Sequence, residues 1–367
     1  MSNPPIPVWS YDAEYQALRD TILGACDRVF KSGRLVLGEE NAAFEKIMAD
    51  YVGVEGGVGV NSGTDAIYIA LLALGVKAGD EVITVPNTAV PTLSAIETMG
   101  ARPVLVDIND NFLMDVSKIE AAITARTRAI IPVHLYGQCV DMDPLLEIAR
   151  RYNLMIIEDV AQAQGAHYRG RQAGAMGHAA TYSFYPTKVL GAYGDGGMVL
   201  SNDPNVLSLA RSLRFYGMEK TYYSERHGYN SRLDEVQAAI LSEKMHYVEG
   251  WIARRRAIAA RYEIGLQGTN VRAPVECNYG RHVYHLYVAE CGDRDRMIEH
   301  MATQGITCTV AYRWPIHIMR GFQHLGYKEG DFPVAEAKAA RIFSLPMFPH
   351  LVDEQVDRVI SAAREFV

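Results

Sequence analysis

Through the first two-thirds of the chain, short apolar runs alternate with amphipathic segments, and few folds accommodate that rhythm. Runs at 57–60, 81–85, 103–106, 128–133 and 154–157 read as strands, with helical periodicity between them at 64–74, 91–99, 117–123 and 144–152. Parallel strands must be joined by crossovers, so the alternation implies an α/β unit with a mostly parallel sheet. Runs at 180–184 and 198–201 extend that sheet. From 233 to 266 the pattern is helical, with Gly250 as the expected break. β-like runs at 283–289 and 306–312 then flank a helix at 294–304, and a last helix covers 353–366. The expected organisation is a large α/β domain over residues 1–248 and a smaller C-terminal α+β domain over 249–367.

Charge and cysteine content narrow the function. Thirty-six basic against 43 acidic residues give a net charge of −7, which disfavours a nucleic-acid binder. The densest basic run, Arg254 to Arg256 with Arg261 beyond it, reads as a solvated helix face. Cys26, Cys139, Cys277, Cys291 and Cys308 are scattered and odd in number, which excludes a dense disulfide framework and the usual zinc spacings. No metal is expected. The N-terminus lacks the basic start and apolar core of a signal peptide, and no apolar stretch reaches the ~18 residues of a membrane helix. A cytoplasmic protein without membrane contact follows as the expectation.

Three segments carry chemistry. Residues 61–66 (NSGTDA) follow a strand and open a helix; they read either as an anion cradle built on backbone N–H groups or as an ordinary cap by Thr64 or Asp65. Glu158 and Asp159 end an apolar strand, where ligands of open α/β sheets bind; the shorter Asp159 is the expected inward residue, either meeting a positive ligand group or capping the next segment. Lys188 sits between a strand and the glycine-rich stretch 191–197. Enclosed, its amine would have a lowered pKa and could condense with an aldehyde; otherwise it is a surface lysine beside a loop. Anion cradle, then acid, then lysine is the set that a pyridoxal phosphate site needs.

With these segments in place, the chain resembles the DegT/DnrJ/StrS family of pyridoxal-phosphate-dependent sugar aminotransferases along nearly its whole length. The resemblance rests on GRLVLG (33–38), NSGTDA (61–66), GDEVI (79–83), VHLYGQ (133–138), EDVAQAQGA (158–166), SFYPTK (183–188), GDGGM (194–198) and GYNSRLDEVQAAIL (228–241). RFYGMEKTYY (214–223), WPIH (314–317) and GDFP (330–333) are similar to the subgroup that aminates C3 of nucleotide-linked 3-keto-6-deoxyhexoses. The resemblance implies the aspartate aminotransferase fold, fold type I of the pyridoxal phosphate enzymes. It implies that Lys188 carries the cofactor and moves the proton, that Asp159 pairs with the pyridine nitrogen and that Gln162 meets the ring hydroxyl. Gly63, Thr64 and Ser183 would hold the phosphate, and Asn230 would reach the phosphate of the neighbouring subunit in a homodimer with shared sites. Tyr185, Tyr312 and His317 would contact the sugar, with a structural role for His317 the alternative. Lys220 would reach the nucleotide diphosphate from the partner.

Two departures from the family pattern stand out. Residues 86–91 (PNTAVP) hold no aromatic to stack on the cofactor near Ala89, and Ala311-Tyr312-Arg313 replaces a common His-Tyr-Pro run, which makes Arg313 a candidate charge contact. The implied reaction passes the amino group of L-glutamate, through the pyridoxamine phosphate form, to a keto sugar on a nucleotide diphosphate, probed first as dTDP, releasing 2-oxoglutarate. A 4-keto sugar 4-aminotransferase shares every cofactor residue. A sugar dehydratase of the same type carries histidine at the lysine position, so Lys188 argues against it, and a non-catalytic regulator would need a DNA-binding module that the composition does not supply.

Overall fold

The computed structural model describes residues 4–220 and 222–366. Met1 to Asn3, on which the reading of the N-terminus partly rests, Thr221 within the 214–223 motif, and Val367 lie outside them.

Seven strands form the central sheet: β1 (Gly56–Val60), β2 (Glu81–Thr84), β3 (Arg102–Leu105), β4 (Thr127–Ile130), β5 (Met155–Asp159), β6 (Ala179–Ser183) and β7 (Gly197–Ser201). Their order is β1-β7-β6-β5-β4-β2-β3. The block from β6 to β3 is parallel, and β7 runs antiparallel to both β6 and β1. The mostly parallel α/β sheet expected from the alternation is present. β2 and β7 are buried along their whole length, which suits strands covered on both faces.

Helices that the apolar rhythm does not announce complete the layers: Asp12–Ser32, Glu39–Val52, Pro204–Leu213 and Pro333–Arg341. The long helical stretch breaks at His246-Tyr247 rather than at Gly250, giving Glu235–Met245 and Val248–Gly265. Gly250 sits inside the second helix with nothing within 4 Å of a built Cβ, an exposed position where glycine weakens a helix without ending it.

Of the β-like run at 283–289, only the part overlapping β8 (Tyr287–Glu290) is a strand, because Tyr284 takes a left-handed φ of 49°. β8 pairs with β9 (Ile342–Leu345). The run at 306–312 is not a strand: Ile306 bridges Ile6 and Thr309 bridges Ser344 as isolated pairs. A second apolar cluster gathers Ile258, Tyr262, Tyr287, Phe343 and Val356, and Ile6 from the N-terminal segment joins it.

The basic run at 254–256 is corrected at its middle residue. Arg255 is 2 % exposed, and its Nη1 donates to the carbonyls of Tyr284, His285 and Met347 at 3.2, 3.3 and 3.0 Å. A guanidinium can be buried where carbonyl oxygens replace water. Among the described residues, no helix is long and apolar enough to cross a membrane.

Candidate active site

The sheet register assembles the cradle. Gly197 on β7 pairs with Val60 on one side and with Ser183 on the other, so the turn after β1 lies beside the end of β6. A Cβ on Gly197 would stand 2.2 Å from the Ser62 carbonyl oxygen, and one on Gly63 would stand 2.6 Å from the Ser183 Cβ. Only glycine permits both approaches. The cap of the helix Gly63–Ala73 is Ser62, whose hydroxyl accepts from the Asp65 amide at 3.1 Å; Thr64 and Asp65 already belong to the first turn. Gly63 and Thr64 are thereby left at the helix N-terminus, lining a cavity of about 250 Å³. Unpaired amides and the helix dipole favour an anion there.

Asp159 and Lys188 line the same cavity, as do Ser183 and Tyr185. Successive side chains of a strand point to opposite faces, and Glu158 accordingly faces away. Asp159 is held on each oxygen: Oδ1 accepts from the Ala161 amide at 3.1 Å and Oδ2 from the Thr92 hydroxyl at 3.0 Å. Burial nevertheless raises its pKa, against the lowering effect of those donors and of Lys188. Lys188 is half-buried as a residue, but protein surrounds its amine closely enough that desolvation lowers the pKa to about 8, with the Asp159 charge pulling the other way.

The loop after Lys188 is fixed from behind. Gln164 brackets Leu190, accepting from its amide at 3.2 Å and donating to its carbonyl at 3.3 Å. The buried Lys244 ammonium donates to the Gly191 carbonyl, and the Tyr11 hydroxyl donates to that of Ala192 at 2.8 Å.

Gln162 flanks this wall with both ends of its amide engaged. Its Oε1 accepts from the Tyr136 amide at 2.9 Å, which fixes the amide orientation, and its Nε2 donates to the Tyr312 hydroxyl at 2.9 Å. Tyr136 presents that amide from a left-handed φ of 60°, a strained conformation for a non-glycine residue. Tyr312 accepts from Gln162 and keeps its own proton to donate; burial pushes its pKa up to about 12.

Other expected residues do not converge. Asn230 is exposed, and Lys220 is exposed on the ribbon of Met218–Lys220 and Tyr223–Ser224, beside a separate hollow lined by Phe215 and Tyr222. Arg313 is engaged by Asp295 at 2.9 Å. His317 is fully buried, its Nε2 2.9 Å from Glu336 and its ring edge-on to Phe332, which is the structural placement. The composition gave no signal for Thr92. A threonine pair four residues apart, after a strand and at the start of a helix, is the sign that could have found it. A larger hollow of about 740 Å³ near Met155 and His178 opens at the amino end of β5, away from Lys188. Among the described residues, no group of three or more His, Cys, Asp or Glu could hold a metal ion.

These residues fit pyridoxal phosphate. The close approach at Gly63 makes a cradle that a Cβ would fill, and the lysine and the carboxylate that the cofactor's two ends require face the same cavity. Such a site, at the carboxyl edge of a mostly parallel sheet, defines a pyridoxal-phosphate enzyme of the α/β class.

Comparison with known proteins takes the assignment further. Residues 16–364 match the DegT/DnrJ/EryC1/StrS aminotransferase family. A Micromonospora megalomicea subsp. nigra protein named dTDP-3-amino-3,4,6-trideoxy-alpha-D-glucose transaminase is 50% identical over 367 residues, covering 98% of each chain. A Geobacillus stearothermophilus protein named pleiotropic regulatory protein is 45% identical over 365 residues, covering 98% of each. The crystal structure of S. venezuelae DesV in complex with a ketimine intermediate superposes with a TM-score of 0.97 at 42% identity, covering 99% of each chain. The chain belongs to the DegT/DnrJ/EryC1/StrS aminotransferase family, and it is a pyridoxal-phosphate-dependent transaminase.

Proposed function

We propose that this transaminase moves the amino group of L-glutamate to C3 of a 3-keto-6-deoxyhexose carried on a nucleotide diphosphate, dTDP in the first instance, with 2-oxoglutarate as the first product. The 50%-identical relative, named for a dTDP-linked 3-amino sugar, supports the sugar and the position. The observation that carries the chemistry is a lysine of lowered pKa facing a carboxylate across one cavity. Bound pyridoxal phosphate supplies an aldehyde for amine exchange and a ring that accepts electron density.

The chain's own residues supply the rest. With a pKa of about 8, roughly a tenth of the free Lys188 amine is neutral at pH 7, so it can attack a carbonyl and later take and return a proton. Asp159, fixed by Ala161 and Thr92, would pair with the ring nitrogen. Gly63, Thr64 and Ser183 would hold the phosphate through the helix N-terminus and a hydroxyl. Gln162, which donates to the Tyr312 hydroxyl, would meet the ring hydroxyl, and Tyr312 and Tyr185, the latter 53 % exposed at the cavity rim, would meet substrate.

We further propose a homodimer with shared sites. Asn230 and Lys220, which stay outside the cavity of one chain, are the two residues expected to act across a subunit boundary. Exposed Phe30, Leu35 and Val36 offer apolar surface, and Val36 bridges Asp234, four residues along the chain from Asn230. A reducing cytoplasmic setting suits five cysteines that are all free.

A second reading, a cofactor-binding regulator, draws on the name of the 45%-identical relative. Incubation with L-glutamate and a dTDP-linked 3-keto sugar, followed by NMR of the product, separates the two. A new C3–N sugar with stoichiometric 2-oxoglutarate supports the transaminase. No sugar turnover alongside tight cofactor binding moves the regulator ahead, and amination at C4 overturns the assigned position.

A further inference from the structure

The segment that lacks a stacking aromatic holds a different device. Ala89, Pro91 and Thr92 line the cavity, and Thr88 stands directly behind Thr92. Both threonines are buried, at 2 % and 1 % exposure. Their oxygens are 3.0 Å apart, and the Thr92 oxygen is 3.0 Å from Asp159 Oδ2. A hydroxyl has one proton to give. An ionised carboxylate can only accept, so Thr92 must donate to Asp159, and Thr88 must then donate to Thr92. The two hydroxyl dipoles therefore line up toward the carboxylate, and aligned hydrogen bonds polarise one another in a low-dielectric interior. On the other oxygen the Ala161 amide does the same work, while the Asp159 main chain is pinned by the His134 amide at 3.0 Å.

We propose that Thr92, backed by Thr88, is a positioning residue that orients the Asp159 carboxylate and holds it as an acceptor for the cofactor's ring nitrogen. On this wall the protein grips the ring through a pre-set carboxylate instead of through a stacked aromatic side chain. Thr92 acts only through Asp159. The inference rests on the reading of Asp159 as the partner of the ring nitrogen.

Equilibrium binding of pyridoxamine phosphate to the cofactor-free protein, by calorimetry, tests it without turnover. The 15N chemical shift of ring-labelled bound cofactor, which reports protonation at that nitrogen, is the second readout. Hydrogen bonds to charged groups are strong enough that Thr92→Val should weaken binding about tenfold to a hundredfold and shift the ring nitrogen toward its unprotonated value at lower pH. Thr92→Ser, which keeps the hydroxyl, should stay within about threefold of wild type. Thr88→Val should move both readouts in the same direction by a smaller factor, and it serves if Thr92→Val does not fold. In an Asp159→Asn background, Thr92→Val should add little, because its target is gone.

Three results would overturn the proposal. Thr92→Val could leave both readouts unchanged while Asp159→Asn alters them. Thr92→Val could weaken binding equally in both backgrounds, which would make it packing alone. Thr92→Ser could behave like Thr92→Val. If Asp159→Asn itself leaves affinity and ring shift at wild-type values, the reading of Asp159 fails instead, and the inference falls with it.

Discussion

Glu158 and Asp159 are adjacent on β5 and serve opposite faces of the sheet. Asp159 lines the cavity, whereas Glu158 accepts from the amides of Gly174, Met176 and Gly177 at 2.9, 2.7 and 2.6 Å and lies 2.9 Å from His134 Nε2. His134 Nδ1 accepts from the Val140 amide at 3.1 Å, so the ring proton sits on Nε2 and points at Glu158. One acid is thus a site residue, and its neighbour anchors the strand that presents it.

Glu158→Gln should therefore cost stability. Burial pushes the Glu158 pKa up, but its donors overcome that and hold it below the ordinary value. An amide offers one acceptor oxygen to four donors and aims its own N–H groups at the remainder. Breaking a buried charged network of this kind costs about 3–5 kcal/mol, measurable by denaturant unfolding. Because the folded-state pKa is depressed, the carboxylate's contribution is complete above the ordinary glutamate range and is lost as pH falls through the lowered value. The mutant should accordingly lose less stability than wild type on acidification.

Lys188 predicts a slope of the same sign, displaced to alkaline pH, in the cofactor-free protein. Its pKa falls from 10.5 unfolded to about 8 folded, so between those values the unfolded chain binds more protons and stability rises with pH. The gain at this one group is at most ~3.5 kcal/mol, since each pKa unit is worth about 1.4 kcal/mol. Lys188→Met should remove that rise while leaving the rest of the pH profile in place. An identical slope in the mutant would show that the lysine is ordinary.

Gly63→Ala tests the cradle. The added Cβ would meet the Ser183 Cβ at 2.6 Å and its Cα at 3.2 Å, and the second of these is backbone that cannot swing aside. Cofactor affinity should drop at least tenfold by absorbance titration, with the melting temperature changed far less than by Glu158→Gln.

Tyr312→Phe should separate the two halves of the reaction. It deletes the hydroxyl that accepts from Gln162 and keeps the ring. Single-turnover kinetics should show the glutamate step within about threefold of wild type and the sugar step slowed about tenfold or more, the scale of one lost hydrogen bond that leaves a buried partner unpaired.

How much of this was legible depends on whether a residue's partners are local. Asp159 and Ser183 are the last residues of their strands, Gly63, Thr64 and Lys188 lie just beyond strand ends, and in an α/β sheet those ends meet at one edge. Their spacing along the chain therefore already implied their meeting. The partners of Arg313 and His317, Asp295 and Glu336, lie eighteen and nineteen residues away and are set by packing that no periodicity reveals. Arg255 shows the same limit, since its carbonyl partners lie on segments 29 to 92 residues distant. The turn at His246-Tyr247 is set by packing, and a glycine four residues on drew attention away from it. Thr88 and Thr92 are ordinary helix-start residues until Asp159, 67 positions after Thr92, supplies their target.

The most direct measurement adds L-glutamate, with no sugar, to purified protein loaded with pyridoxal phosphate. The account predicts that the visible band of the bound cofactor gives way to the amine-form absorption as one equivalent of 2-oxoglutarate per site appears, and that Lys188→Ala does neither. A band that persists in wild type, or 2-oxoglutarate released by Lys188→Ala at the wild-type rate, would contradict it.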